Sequence, residues 1–328
     1  MTPTFPIAIY HEHQEWFRPL FAALDARGAA YVRIDARSHQ YDPSRSEPQY
    51  SLVFNRMSPS AYRRGNGQGI FYTLGYLAHL ERTGTRVVNG SRAFGFESSK
   101  ATQLSVFQSL GVPFPRTRII NSASQAPAAA AALGYPVVVK PNIGGSGAGI
   151  ARYDRAADLE AAAAEGHLDM GLDQTALVQE FVPARGNSIT RVEVLGGKFL
   201  YAIEIFMTGE TFNLCPGHIC QTADGAPLAR GICPADAPKT GLKVAAANPP
   251  ADVIATVERI MAAAGIEVGG VEFIVDDRDG RRLYYDVNAL SNYVADAPRV
   301  VGLDAYGRLA DYLIAEARNG QRQRATGA

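Results

Sequence analysis

One strand running straight into a glycine loop constrains this chain more than any other feature. Pro136-Val-Val-Val-Lys140 is an apolar run with the composition of a β-strand. It opens onto Asn142 to Gly149, which contains Gly144, Gly145, Ser146, Gly147 and Gly149. A loop without bulky side chains lets main-chain N–H groups approach phosphate oxygens closely. Lys140, at the strand's end, adds a cation beside them. A P-loop places its lysine after the glycines, so this is not one. The dinucleotide fingerprint opens a helix inside its glycines, and none is signalled here. Taken alone, the loop reads equally well as a plain structural hairpin.

The 328 residues, 47% of them hydrophobic, suit a globular chain with a full core divided into two or three domains. Lysine plus arginine is 32 and aspartate plus glutamate is 32. A neutral total gives no reason to expect nucleic acid or an anionic membrane as partner. No apolar run is long enough to cross a bilayer, and the first residues lack the features of a secretory signal. Three cysteines are too few for a disulfide framework. These features point to the cytoplasm, and a homo-oligomer is the expected assembly.

Residues 1–90 alternate short strands and helices. Pro6 to Tyr10, Tyr31 to Ile34, Ser51 to Phe54 and Arg86 to Asn89 read as strands. Helices are expected with Trp16, Leu20, Ala23 and Leu24 at helical spacing, stopping at Gly28, and from Phe71 to Arg82. This alternation implies a mostly parallel sheet covered by helices. Further on, Ser98 to Leu110 reads as a helix. Ser122 and Gln125 have capping-box spacing, and Asp154 is placed to cap a helix. Gly196-Gly197 joins two strands as a hairpin. A helix from Pro250 to Ala264 follows. A second hairpin pairs Val271 to Val275 with Leu283 to Asn288. The last helix is expected from Ala305 to Arg318, with a frayed arginine-rich tail after Gly320. Thr208 to Lys243 is poorly periodic and reads as a loop over the active site.

The second hairpin carries acidic chemistry. Strand alternation puts Tyr284, Asp286 and Asn288 on one face, and Glu272 lies on the partner strand. Two carboxylates and an amide oxygen suit a hard cation such as Mg²⁺, although a solvated acidic surface is the competing reading. Arg56 follows a strand at the sheet end where ligands gather in open α/β folds. Its fork makes it a candidate clamp for a substrate carboxylate. A surface arginine is the alternative.

In order, the chain carries Ser98-Ser-Lys100, Gly134 to Gly147, Val178-Gln-Glu-Phe-Val182, Arg191, Gly270-Val-Glu-Phe-Ile274 and Tyr285-Asp-Val-Asn288. This series resembles the ATP-grasp superfamily, especially its ribosomal-protein glutamate ligase and D-alanine–D-alanine ligase branches, over about residues 90 to 318. The resemblance implies an α/β pre-ATP-grasp domain with a parallel sheet (1–90). An α+β grasp in two parts would follow: 91–178 with the glycine-rich lid, and 179–328 with the metal site.

By the same resemblance, Lys100 and Lys140 contact phosphates, and residues 144–149 close over them. Gln179, Glu180, Phe181 and Val182 frame adenine. Glu272, Asp286 and Asn288 hold magnesium. Arg191, with Lys140, serves the transferred phosphoryl group. Asn213 is a candidate phosphate, metal or substrate neighbour. Plainer readings stay open at this point. Lys100 could be a surface lysine, Glu180 a strand-edge cap, Asn213 a loop residue, and Arg191 a partner of Glu193 or Glu204 across the hairpin.

Two segments depart from the family pattern. Ala289 to Pro298 replaces small residues followed by Pro-Gly. The Thr208 to Lys243 stretch contains Cys215, His218, Cys220 and Cys233, where buried thiols fit better than zinc because no paired C-x-x-C is present. The implied activity is an ATP- and Mg²⁺-dependent ligase, with Mn²⁺ as a possible metal. It would join a carboxylate of an amino acid or peptide to an amine through an acyl phosphate. A thiol nucleophile, a hydroxyl-directed phosphotransferase and a non-catalytic nucleotide-binding module are the alternatives.

Overall fold

A computed structural model describes residues 5–145, 147–207, 221–222 and 242–325. The candidate residues Ser146 and Asn213 lie outside the described residues, as do Cys215, His218, Cys220 and Cys233.

The first sheet contains β1 (Ile7–His11), β2 (Tyr31–Asp35), β3 (Leu52–Arg56) and β4 (Val87–Val88). All its pairings are parallel, in the order β2-β1-β3-β4. The central strands β1 and β3 are buried along their whole length. Ile7, Ile9, Leu52 and Phe54 pack on Leu20 and Leu24 of α1 (Arg18–Asp25). Ala8, Tyr10 and Val53 face Ile70 and Leu77 of α2 (Gln68–Arg82). Each fully buried side chain of this size contributes roughly 2 kcal/mol. Covering both faces with helices is what a parallel sheet needs. The expected parallel unit is therefore observed.

Two helices follow, α3 (Ser91–Glu97) and α4 (Lys100–Ser109). The helix expected from Ser98 thus begins two residues later. Ser99 accepts the Thr102 N–H on its hydroxyl at 3.2 Å and caps α4, while Ser98 ends α3.

The second sheet joins β5 (Thr117–Ile120), β6 (Val137–Pro141), β7 (Ala151–Tyr153) and β8 (Ala176–Glu180) in the order β5-β8-β6-β7, all antiparallel. Its apolar face is covered by α5 (Ala126–Leu133) and α6 (Ala156–Ala164). The Ser122/Gln125 capping box forms as expected. Asp154 does not cap α6. The cap position is Arg155, and the Asp154 carboxylate instead accepts from the Arg152 guanidinium at 2.6 and 3.0 Å.

The third sheet contains β9 (Ser188–Leu195), β10 (Lys198–Phe206), β11 (Gln221–Thr222), β12 (Lys243–Ala247), β13 (Val268–Val275) and β14 (Arg282–Asn288). Its order is β11-β12-β10-β9-β13-β14. Both expected hairpins are present. α7 (Ala251–Ala264) packs Val253, Val257 and Ile260 on this sheet. After a short α8 (Ala297–Val301), α9 (Ala305–Ala325) returns to the first sheet, packing Leu309, Leu313 and Ala317 with Ile7, Phe54 and Leu24. α9 continues past Gly320 to Ala325, into the tail expected to fray, and Gln321 donates to the Phe5 carbonyl at 3.4 Å. No helix among the described residues is long and apolar enough to cross a membrane.

Candidate active site

A cavity of about 970 Å³ opens where strands of the second and third sheets approach each other beneath the glycine loop. That is at the upper end of the range for small-molecule sites, roughly 300–1,000 Å³.

Its acidic wall is the β13–β14 hairpin. Glu272 and Asp286 are register partners, and both line the cavity with Asn288. Asn288 donates its amide to Asp286 Oδ2 at 2.9 Å. The register shifts between Glu272 and Phe273, leaving Tyr285 as the extra residue of a β-bulge. The bulge reverses the alternation. Tyr284 therefore points away from Asp286, into the core against Phe273, at 5.4 Å between ring centroids. The expectation that Tyr284 shares the acidic face is corrected. Tyr285 takes that place and donates its hydroxyl to Glu272 Oε2 at 2.9 Å.

Arg191 on β9 lines the same wall. Its Nε donates to Glu193 Oε1 at 2.6 Å, Nη1 to Glu272 Oε1 at 2.6 Å, and Nη2 to the Ser291 hydroxyl at 2.9 Å. The Glu193 pairing weighed from sequence is thus real, but Glu204 binds Ser188 instead. Gly270 makes room for this arrangement: a Cβ there would lie 2.9 Å from Glu193 Oε2 and 3.0 Å from Arg191 Nε. Burial pushes the Glu272 carboxyl upward, while Arg191 and the Tyr285 hydroxyl pull it back.

The basic groups come from two elements. Lys100 begins α4, and its ammonium donates to the Gly144 carbonyl at 3.3 Å and lies 3.6 Å from Asp286 Oδ1. Asn142 docks this helix start on the loop by accepting the Ala101 N–H at 2.8 Å. Gly147 and Gly149 have φ of 69° and 70°, a conformation that strains side-chain-bearing residues. Lys140, at the end of β6, is buried and makes no ion pair among the described residues. Its ammonium sits 5.9 Å from the Tyr285 ring centroid. Burial, reinforced by neighbouring Lys100, brings its pKa down to about 8.

The opposite end of the cavity is formed by Gln179, Glu180, Phe181 and Val182. Glu180 accepts the Arg116 N–H at 2.8 Å and its guanidinium at 3.1 Å. This is the strand-edge role weighed as its alternative. Gln179 donates to Thr117 Oγ1 at 2.9 Å. The N–H groups of Glu180 and Phe181 go to the Arg116 and Pro136 carbonyls, whereas Val182 N–H has no main-chain acceptor among the described residues.

Lys100, Lys140, Gly144, Gly145, Gly147, Arg191 and the acidic trio thus meet the 179–182 segment around one space. Arg56 is placed otherwise than expected. It does not line the cavity, and its fork is taken by the main-chain carbonyls of Ala289 and Ser291. Sequence reasoning missed Tyr285, Glu97 and Asn292, as well as Ser58, Ser60 and Trp16 of the first unit, all of which line the cavity. Glu97 directly precedes the quoted Ser98-Ser-Lys100 motif, the one local signal that could have marked it. Burial pushes its carboxyl up to about 7, opposed by the Leu290 N–H.

No cluster of three or more His, Cys, Asp or Glu side chains able to hold a metal occurs among the described residues. The donor set here is two carboxylates and an amide. That fits Mg²⁺, which retains waters and takes phosphate oxygens instead of an all-protein cage.

Residues 106–216 match the family model described as the D-Ala–D-Ala ligase C-terminus. A D-alanine–D-alanine ligase of Aromatoleum aromaticum is 29% identical over 209 residues, 60% of this chain and 63% of that enzyme. The chain therefore spans less than two thirds of that relative. A D-alanine–D-alanine ligase of Pseudomonas putida is 27% identical over 287 residues, 86% of this chain and 81% of the relative. Among solved structures, the ATP-grasp ligase PsnB in complex with a minimal precursor superimposes with a TM-score of 0.68. It is 19% identical, covering 96% of this chain and 100% of that one. The fold, the family match over residues 106–216 and the curated relatives agree with the order of motifs around the cavity, and together they support kinship with carboxylate–amine ligases of the ATP-grasp type.

Proposed function

We propose that this protein is an ATP- and Mg²⁺-dependent ligase. It would join the carboxylate of an amino acid or peptide to an amine, through an acyl phosphate, with release of ADP and phosphate. One observation carries the reading: two lysines, a buried arginine and an acidic hairpin converge beneath a glycine loop. PsnB, of the same fold, is known with a precursor, magnesium and ADP. The curated relatives are ligases, which favours ligation over phosphotransfer to a hydroxyl or nucleotide binding alone.

In this reading the substrate carboxylate takes the γ-phosphoryl group, and the amine then displaces phosphate from the acyl carbon. Lys100 and Lys140 offset phosphate charge, and Lys100 also holds the glycine loop by its Gly144 carbonyl. Val182 N–H is left to bind the adenine edge. Arg191, held by Glu193, Glu272 and Ser291, faces the acyl phosphate in a fixed pose. Glu272, Asp286 and Asn288 would hold Mg²⁺, which neutralises phosphate charge when bound. Mn²⁺, also suited to carboxylate ligands, would be accepted. The glycine loop serves as the lid that excludes water.

The strands of the three sheets fall within residues 7–88, 117–180 and 188–288. They support a first unit ending near residue 90 and a grasp divided near residue 180. Use of ATP suits a cytoplasmic enzyme acting on a small molecule or peptide, which we take to be a homo-oligomer. A thiol nucleophile would use the same acyl phosphate.

Amino acids supplied in pairs should release ADP only with the correct acid, and mass spectrometry should show the condensed product. AMP and pyrophosphate would rule out the acyl-phosphate route. ATP affinity should also depend on pH. The bound anion favours protonated Lys140, whose pKa in the free protein is about 8. Affinity should therefore be level up to about pH 8 and weaken as pH rises above it. Calorimetric titration between pH 7 and 9.5 checks this, and a flat profile would remove Lys140 from the phosphate site.

A further inference from the structure

β14 ends at Asn288, and the chain leaves the sheet while still lining the cavity through Leu290 and Asn292. Main-chain groups that leave a ladder need other partners. Here distant side chains supply them. Arg56, at the carboxyl end of β3, donates Nη1 to the Ala289 carbonyl at 3.2 Å and Nη2 to the Ser291 carbonyl at 2.6 Å. Between these two carbonyls, the Leu290 N–H donates to Glu97 Oε1 at 2.6 Å. A guanidinium and a carboxyl group thus grip three consecutive residues alternately. Both side chains are buried, with Arg56 4% and Glu97 6% exposed.

The grip is specific to hydrogen-bonding shape. Arg56 forms no ion pair among the described residues, and its charge rests between the Phe17 and Phe54 rings at 5.1 Å. A buried guanidinium is retained where its N–H groups find acceptors, and its planar fork holds two carbonyls in a fixed geometry that an ammonium with rotatable donors does not impose. The strand just before is held in the same manner. Gln103 binds both main-chain groups of Val287 at 3.1 Å.

We propose that Glu97 and Arg56 are positioning residues. They would fix residues 289–291 and, through them, the oxygens of Asp286 and Asn288 and the Ser291 hydroxyl that holds Arg191. This role rests on reading Asp286 and Asn288 as the metal-holding residues. Because Arg56 belongs to the first sheet, the grip also ties that unit to the metal end of the cavity.

The test compares Glu97→Ala with Glu97→Gln in the full chain. Amide hydrogen exchange is followed across residues 289–291. The gain in affinity that Mg²⁺ confers on a non-hydrolysable ATP analogue is measured alongside it. Glu97→Ala should speed Leu290 exchange at least about tenfold and cut the Mg²⁺ gain by a similar factor. Glu97→Gln should recover most of both, because its amide carbonyl can accept the same N–H. If Glu97→Ala matches the parent, or if Gln is as impaired as Ala, the proposal is overturned. Should Glu97→Ala fail to fold, Arg56→Lys decides. It keeps the charge but lacks the rigid fork, so parent-like exchange and Mg²⁺ gain would equally overturn the grip. A parent protein with no Mg²⁺ gain would defeat the metal reading instead, and exchange alone would then decide the grip.

Discussion

Asp286→Asn is expected to lower turnover by about two orders of magnitude or more, the scale on which losing a key electrostatic group acts. The substitution removes a charge at nearly constant shape. Asp286 faces Glu272 across the hairpin, accepts the Asn288 amide at 2.9 Å and lies 3.6 Å from Lys100. An asparagine can still accept that amide through its one oxygen, so the local structure should persist. The Lys100 contact is long and partly open to solvent, and pairs of that kind contribute little to stability. Melting without ligand should therefore shift little. Steady-state turnover across a Mg²⁺ titration, with a melting curve as control, checks this. Near-normal turnover at ordinary Mg²⁺ would return the hairpin to a plain acidic surface.

Lys140→Met should weaken ATP binding by about thirtyfold, because a charge-assisted hydrogen bond contributes about 2 kcal/mol. The same change should stabilise the free protein. Burial lowers the Lys140 pKa in the folded state to about 8 from an ordinary value of 10.5. A lysine with a depressed folded pKa costs stability, about 3–4 kcal/mol for this shift, wherever both states are protonated. That cost is fully present below pH 8 and fades as pH rises from 8 to 10.5. The variant should therefore melt higher than the parent at pH 7, with the gap closing across that window. A lower melting point together with unchanged ATP affinity would show that Lys140 serves packing rather than phosphate.

Local patterns carried much of the architecture. The valine run before Lys140, the Gly196-Gly197 turn and the strand–helix alternation of the first ninety residues each encode their structure within a few residues, since side-chain period and turn chemistry are local. The order of motifs from Lys100 to Asn288, through its family resemblance, likewise grouped the two lysines, Arg191 and the acidic trio, and they do share one cavity.

What could not be read depends on partners far apart in the chain. Alternation placed Tyr284 beside Asp286, but the bulge at Tyr285 exists only because β14 pairs with β13 in one particular register. Arg56 was recognisable as a fork without an addressee, because the carbonyls it binds lie 233 and 235 residues away. Glu97 drew no reading from the sequence, because only the returning 289–291 segment gives its carboxylate a partner. α9 was legible as a last helix, but not that it returns to pack on α1 and the first sheet from the other end of the chain. The sequence by itself determined the elements and the chemistry carried on each, because period, capping and turn preference act between neighbours. The tertiary structure alone decided strand register, the facing of side chains beyond the bulge and the grip on residues 289–291, because those follow from contacts that exist only once distant segments have packed.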